Sequence, residues 1–193
     1  MVFNPGRAPS LLAVVDNPDS PFLPAVTIPA NAQQLFNLQS AWVNGSFSVQ
    51  GEWFASNIQR SDVSGSVFLH GFYLQASQFL TGEHRGYDRT RGAFSTVNVK
   101  RPLTRSRDVP GAGLGAVELA ARYSFYNFSS GNLPPSTDGA SSRALLNQME
   151  LGVNWYLNDF TRFMFNYTLP FVDKIDVGST SAHVFSIRAA VHW

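Results

Sequence analysis

The chain has 193 residues, a formal net charge of +1 and no cysteine, so disulfides and thiolate metal centres are excluded and bulk charge gives no pull toward nucleic acid. Only 14% of residues are charged, against roughly 25% in an average soluble domain, while 13% are aromatic, with 16 phenylalanines. The mixture is too apolar for a disordered chain, and no stretch nears the ~20 apolar residues of a membrane helix, the longest run being Leu11 to Val15.

The start, MVFNPGRAPS, lacks the apolar core of a signal peptide, so an exported product needs one upstream. Met1 to Pro29 is proline-rich and shows no alternation, which predicts an irregular leading segment (1–30) with one short strand around Ala25 to Ile28. From there (31–193) a two-residue period dominates. LFNLQSAW sets Phe36, Leu38 and Trp42 against Asn37 and Gln39. After a tight turn at Asn44 to Ser46, Phe47, Val49, Trp53 and Ala55 oppose Ser48, Gln50 and Glu52. FLHGFYLQAS opposes Phe68, Phe72, Leu74 and Ala76 to Tyr73, Gln75 and Ser77.

The next segment, TGEHRGYDRTRGAFSTVNVKRPLTRSRDVPGAG, breaks the pattern and holds Arg85, Arg89, Arg91, Lys100, Arg101, Arg105 and Arg107, half of all lysines and arginines. GAGLGA precedes a strand instead of following one, so it is an approach to that strand and not a phosphate loop. Val117, Leu119, Ala121, Tyr123 and Phe125 then oppose Glu118, Ala120, Arg122 and Ser124. Met149, Leu151, Val153, Trp155 and Leu157 oppose Gln148, Glu150, Gly152 and Asn154, and Phe163, Phe165, Tyr167 and Leu169 oppose Arg162, Met164, Asn166 and Thr168. The last segment alternates Phe185, Ile187, Ala189, Val191 and Trp193 with Ser186, Arg188, Ala190 and His192.

This predicts an all-β chain of about seven antiparallel strands, each roughly ten residues long, the length that crosses a bilayer when tilted. Trp42, Trp53, Tyr123, Trp155, Tyr167 and Trp193 near strand ends suit the two headgroup zones. The competing class is a soluble β-rich binding module, in which apolar faces point at one another instead of outward. Counting back from a periplasmic C-terminus, Val172 to Ala182, Asn127 to Arg143 and Asn57 to Ser66 are external, and Asn158 to Thr161 and Asn44 to Ser46 are short periplasmic turns. The basic link at 81–114 then falls on the periplasmic side, where turns are normally short, so either a strand pair is missing from this count or the link folds into the lumen.

Concentrated guanidinium and ammonium groups in a confined polar space attract anions, which makes the link an anion constriction; the alternative is a solvated basic loop or one touching a neighbouring subunit. Arg122, Arg162 and Arg188 fall on the polar face, where they either extend a cationic track or pair with Glu52, Glu118 or Glu150. The four histidines show no metal-ligand spacing and no Ser/His/Asp grouping stands out, so an enzyme and a cofactor are not expected.

The blocks GFYLQASQFLTGEHRGYDRTRGAF, VKRP, GAVELAARYS and LGVNWYLNDFTRFMFNY, with the terminal aromatic strand, resemble the C-terminal part of the phosphate-selective porin O and P family over about Leu35 to Trp193. The resemblance implies a transmembrane β-barrel of about sixteen strands in the bacterial outer membrane. It implies a homotrimer, passing anions such as phosphate or polyphosphate, with loops folded into the lumen. The family's main lysine-rich constriction loop lies in the half this chain lacks. Phe185, Ile187, Val191 and Trp193 resemble the terminal signal read by the outer-membrane assembly machinery. About seven strands leave two open edges that lipid cannot satisfy, so the expectation is a partial barrel: the C-terminal fragment of a longer porin, or a non-functional truncated product.

Overall fold

The computed structural model describes residues 26, 28–88, 90, 93–103, 113–135, 142–175 and 177–191, and all of its regular structure is β. Seven strands follow one another in an antiparallel sheet: β1 (Ala30–Asn44), β2 (Phe47–Arg60), β3 (Ser66–Phe79), β6 (Ala116–Asn127), β7 (Ala144–Tyr156), β8 (Thr161–Lys174) and β10 (Val184–Val191). A short β9 (Gly178–Ser181) pairs back on β8, and β4 (Tyr87–Asp88) and β5 (Ala93–Phe94) form a two-residue ladder inside the basic link. The sheet does not close, and β1 and β10 stand at its two edges.

The seven expected strands are all present. β1, β2, β3 and β8 run to 15, 14, 14 and 14 residues, well beyond the expected ten. The outermost residues of β2 and β8 are mostly polar: Asn57, Gln59 and Arg60, with Ile58 between them, continue β2, and Asp173 and Lys174 end β8 toward β9. A ladder outlasts the hydrophobic alternation because backbone pairing needs no apolar side chain. The strand expected around Ala25 to Ile28 is absent at Val26 and Ile28, and Ala25 and Thr27 lie outside the described residues.

Alternation gives the sheet two unlike faces. On one lie large apolar side chains left open to the surroundings, such as Phe185 (79% exposed), Ile187 (74%) and Leu151 (53%). No second sheet covers this face among the described residues, so the sandwich arrangement is not the one adopted. Stretches such as Phe163–Phe171 match the ~9–11 residues that a tilted strand needs to cross a hydrocarbon core. Aromatics bracket the band. Toward the tight turns, Trp42 packs on Phe47 and Trp155 on Phe163, and the Trp155 indole donates to the Leu114 carbonyl at 2.7 Å. Toward the long loops, Phe72 packs on Tyr123, and the Tyr167 hydroxyl lies 2.7 Å from Nδ1 of His183.

The buried hydrophobic clusters lie on the polar face, at its two ends. Near the loops, Tyr126, Ala144, Leu146 and Val172 cluster with Phe54 and Phe128. Near the turns, Phe79, Ala116 and Tyr156 cluster with Val97 and Val99 from the link. The link therefore folds back onto the polar face. Its return into β6 depends on Gly115, which has φ +80° and whose added Cβ would sit 2.2 Å from the Tyr156 carbonyl oxygen. Gly115→Ala is expected to destabilise the folded sheet by about 1–3 kcal/mol or more, through the unfavourable φ together with the clash. A lowered urea midpoint for refolding into vesicles checks this, and an unchanged midpoint contradicts it.

Candidate functional site

Cross-strand register aligns the polar face in rows. Gln50, Gln75, Arg122, Glu150 and Thr168 form one row across β2, β3, β6, β7 and β8. The next row toward the turns is Ser48, Ser77, Ala120, Gly152, Asn166 and Ser186, all short side chains. Below it come Phe79, Glu118, Asn154, Met164 and Arg188, then Ala116, Tyr156, Arg162 and Ala190. Hydrogen bonds run along the rows: Ser48 Oγ to Ser77 Oγ at 2.8 Å, and Gln50 Nε2 donating to Gln75 Oε1 at 3.2 Å. The Arg122 guanidinium lies 3.9 Å above the Tyr73 ring, and its Nε donates to Ser124 Oγ at 3.2 Å. The wall is amide-, hydroxyl- and charge-lined, with one row of short side chains across it.

The link, a strap across the turn end, is held at several points. Leu80 N donates to the Val117 carbonyl at 2.8 Å, Val117 N to Thr81 Oγ1 at 3.0 Å, and Val99 N to Asp159 Oδ1 at 2.7 Å. Glu83, almost fully buried, accepts from the Thr81 hydroxyl and from Lys100 N. The main attachment is Glu118, with no exposed surface. Its Oε1 accepts from Nε (2.8 Å) and Nη2 of Arg85, and its Oε2 accepts from Asn154 Nδ2 and the Tyr156 hydroxyl, both at 3.0 Å. Each acceptor oxygen of this buried carboxylate is thereby engaged twice.

The expected site residues separate into distinct environments. Arg85 is buried and ion-paired with Glu118, and its guanidinium also lies 5.5 Å from the Phe94 ring. Lys100 is exposed, with Nζ donating to the Gly82 carbonyl at 2.6 Å, and Arg101 is exposed, with its own carbonyl accepting from Gly115 N. Arg122 sits mid-wall in the row with Glu150. Arg162 and Arg188 are diagonal neighbours on β8 and β10 and make no ion pair among the described residues; Arg162 lies 5.9 Å from the Tyr156 ring. Phe185, Ile187 and Val191 line the open face of β10. Arg89, Arg91 and Trp193 lie outside the described residues.

Sequence reasoning placed Glu118 on the polar face and offered it, with Glu52 and Glu150, as one candidate partner for the strand arginines; its partner is Arg85, 33 residues away on the link. It missed Asn154, Tyr156, Asp159 and Glu83. The alternation of Val97 and Val99 was the available signal that this part of the link packs on something.

An antiparallel sheet with one side fit for lipid, the other for water, and a basic strap folded onto the wet side is the wall of a porin. The chain belongs to the family described as phosphate-selective porin O and P, which matches residues 22–193. It is 29% identical over 145 residues to Porin O of Pseudomonas aeruginosa, covering 73% of this chain and 30% of that one. It is 26% identical over 151 residues to an uncharacterized protein of Caulobacter vibrioides, covering 78% and 27% respectively. The chain thus spans about a third or less of the length of these relatives.

At the opposite end of the wall, the β6–β7 loop is tied to the β2–β3 loop. Arg60 pairs with Asp62 and donates through Nη1 to the Asn132 carbonyl at 2.6 Å, and Asn132 Nδ2 donates to the Ser66 carbonyl at 3.1 Å. The Arg60 guanidinium beside it holds the Asp62 carboxyl below its ordinary value. A depressed carboxylate pKa means that the tie is present above the usual carboxylate range and is lost as pH falls through the lowered value. A spin label at exposed Gly131 is expected to stay immobilised from neutral pH down to about pH 4 and to loosen below it. In Asp62→Asn the label is expected to be looser at neutral pH, with that acid step gone; an acid step of unchanged size would assign it elsewhere.

Proposed function

We propose that this chain forms part of the wall of an outer-membrane channel through which anions of the phosphate class diffuse. Family membership supports the porin class. The observation that carries the anion preference is the pair Arg162 and Arg188, two wall guanidiniums on adjacent strands at the strap end of the polar face with no carboxylate paired to either among the described residues. Guanidinium forks replace part of the hydration of a phosphate-like oxyanion while the amides and hydroxyls of the wall carry the rest, so passage needs no reaction and no cofactor. Exposed Lys100 and Arg101 on the strap add positive potential at the same end.

The open edges at β1 and β10 require further strands for closure, because their unpaired N–H and C=O groups have no partner in hydrocarbon. A longer barrel supplies them, consistent with the much greater length of the relatives, and a homotrimer is the assembly that the family resemblance implies. The exposed apolar side of β10, with Phe185, Ile187 and Val191, fits recognition of the strand by the outer-membrane assembly machinery.

Replacing Arg162 and Arg188 by glutamine in the assembled porin is expected to lower the anion-over-cation permeability ratio by a few-fold, the order expected from removing two partly screened charges. Reversal potentials across a potassium chloride gradient read this directly. Values identical to the unmodified channel would remove both residues from the solute path.

A further inference from the structure

Seven cations crowd the link, and the simplest expectation makes all of them part of the anion path. Arg85 differs from its neighbours in environment. It is only 6% exposed, and its Nε and Nη2 both reach the same oxygen of Glu118, a carboxylate with no exposed surface. Three elements meet there: the strap through Arg85, β6 through Glu118, and β7 through Asn154 and Tyr156 on the carboxylate's other oxygen. Phe94 of β5 lies within cation–π distance of the guanidinium, and β5 is tied back by the Ser95 N to Gly86 carbonyl bond at 2.9 Å. Fixing Arg85 therefore fixes the small β4–β5 ladder that carries the strap inward. Further contacts of the strap among the described residues lie near its roots, around Leu80 to Glu83 and Val97 to Leu103.

We infer that Arg85 and Glu118 are positioning residues: a buried ion pair that pins the inturned strap to the channel wall, with neither group touching the solute. This rests on the porin reading above and specifies how its constriction is held. A charge compensated at this distance adds little to the potential along the path. Loss of either partner leaves the other buried and unpaired, which favours release of the strap over retention of the geometry.

The two roles predict opposite signs, and that difference is the test. Planar-bilayer recordings would be made on the assembled porin containing this chain, unmodified and as Arg85→Gln, Glu118→Gln and Arg85→Lys, together with trypsin cleavage of the strap in folded, membrane-inserted protein. If the pair is a clamp, Arg85→Gln and Glu118→Gln change the channel in the same direction: both raise open-channel current noise, both move the reversal potential alike, and both speed strap cleavage at least about tenfold. Arg85→Lys, which keeps the charge but not the two-pronged contact, falls between them and the unmodified channel. Cleavage is read without electrical recording, so a variant that inserts poorly still reports on the clamp.

The inference is overturned if Arg85→Gln lowers anion preference while Glu118→Gln raises it with quiet currents, the pattern of two solute-facing charges. It is also overturned if both variants match the unmodified channel in noise and cleavage. An unmodified channel that prefers cations would refute the anion reading instead, leaving the noise and cleavage comparison to decide the clamp separately.

Discussion

Everything in this fold follows from the need to pair backbone N–H and C=O groups in a medium that offers them no other partner. Each interior strand, from Phe47 to Lys174, has an antiparallel neighbour on both sides, which pairs most of its ladder. Once the ladder is fixed, the pleat leaves one freedom: which residues point each way. The sequence uses it to give Phe185, Ile187, Leu151 and Trp155 to one side and Ser77, Gln75, Asn154, Glu118 and Arg188 to the other. Exposed leucines and phenylalanines, a liability in water, are then the surface that lipid requires.

The second constraint is electrostatic. Glu118 is a carboxylate removed from solvent, a state that becomes tolerable only with a counter-charge and filled hydrogen-bonding capacity. Arg85, Asn154 and Tyr156 together meet both requirements. Breaking such a pair costs about 3–5 kcal/mol, whereas an exposed pair such as Arg60 with Asp62 contributes far less. Position matters more than number here. Among the described residues Arg162 and Arg188 carry their charge on the wall without a paired carboxylate, and the link spends Arg85 on its own attachment.

Much of this was legible in the residues. Phe163, Phe165 and Tyr167 opposite Arg162, Met164 and Asn166 announce a strand and name its two faces. The long link, on the side where turns should be short, pointed either to an uncounted strand pair or to an inward fold; it carries the short β4–β5 pair, and its Val97 and Val99 pack against Phe79, Ala116 and Tyr156 of the polar face. The polar continuations of β2 and β8 and the β9 strand were not legible, because outside the membrane band no apolar period marks a ladder. Nor was the pairing of Arg85 with Glu118, since a contact between residues 33 apart depends on how the link turns and not on local pattern.

Odd and even residues of each strand meet different solvents. Single cysteines placed from Leu146 to Trp155 along β7 of the membrane-inserted protein, labelled with a small fluorophore, test it most directly. Labels at 147, 149, 151, 153 and 155 are expected to be quenched by brominated lipid, and labels at 146, 148, 150, 152 and 154 by aqueous iodide, unless the strap shields them. Quenching with no two-residue period, or lipid quenching at the even positions, would contradict it.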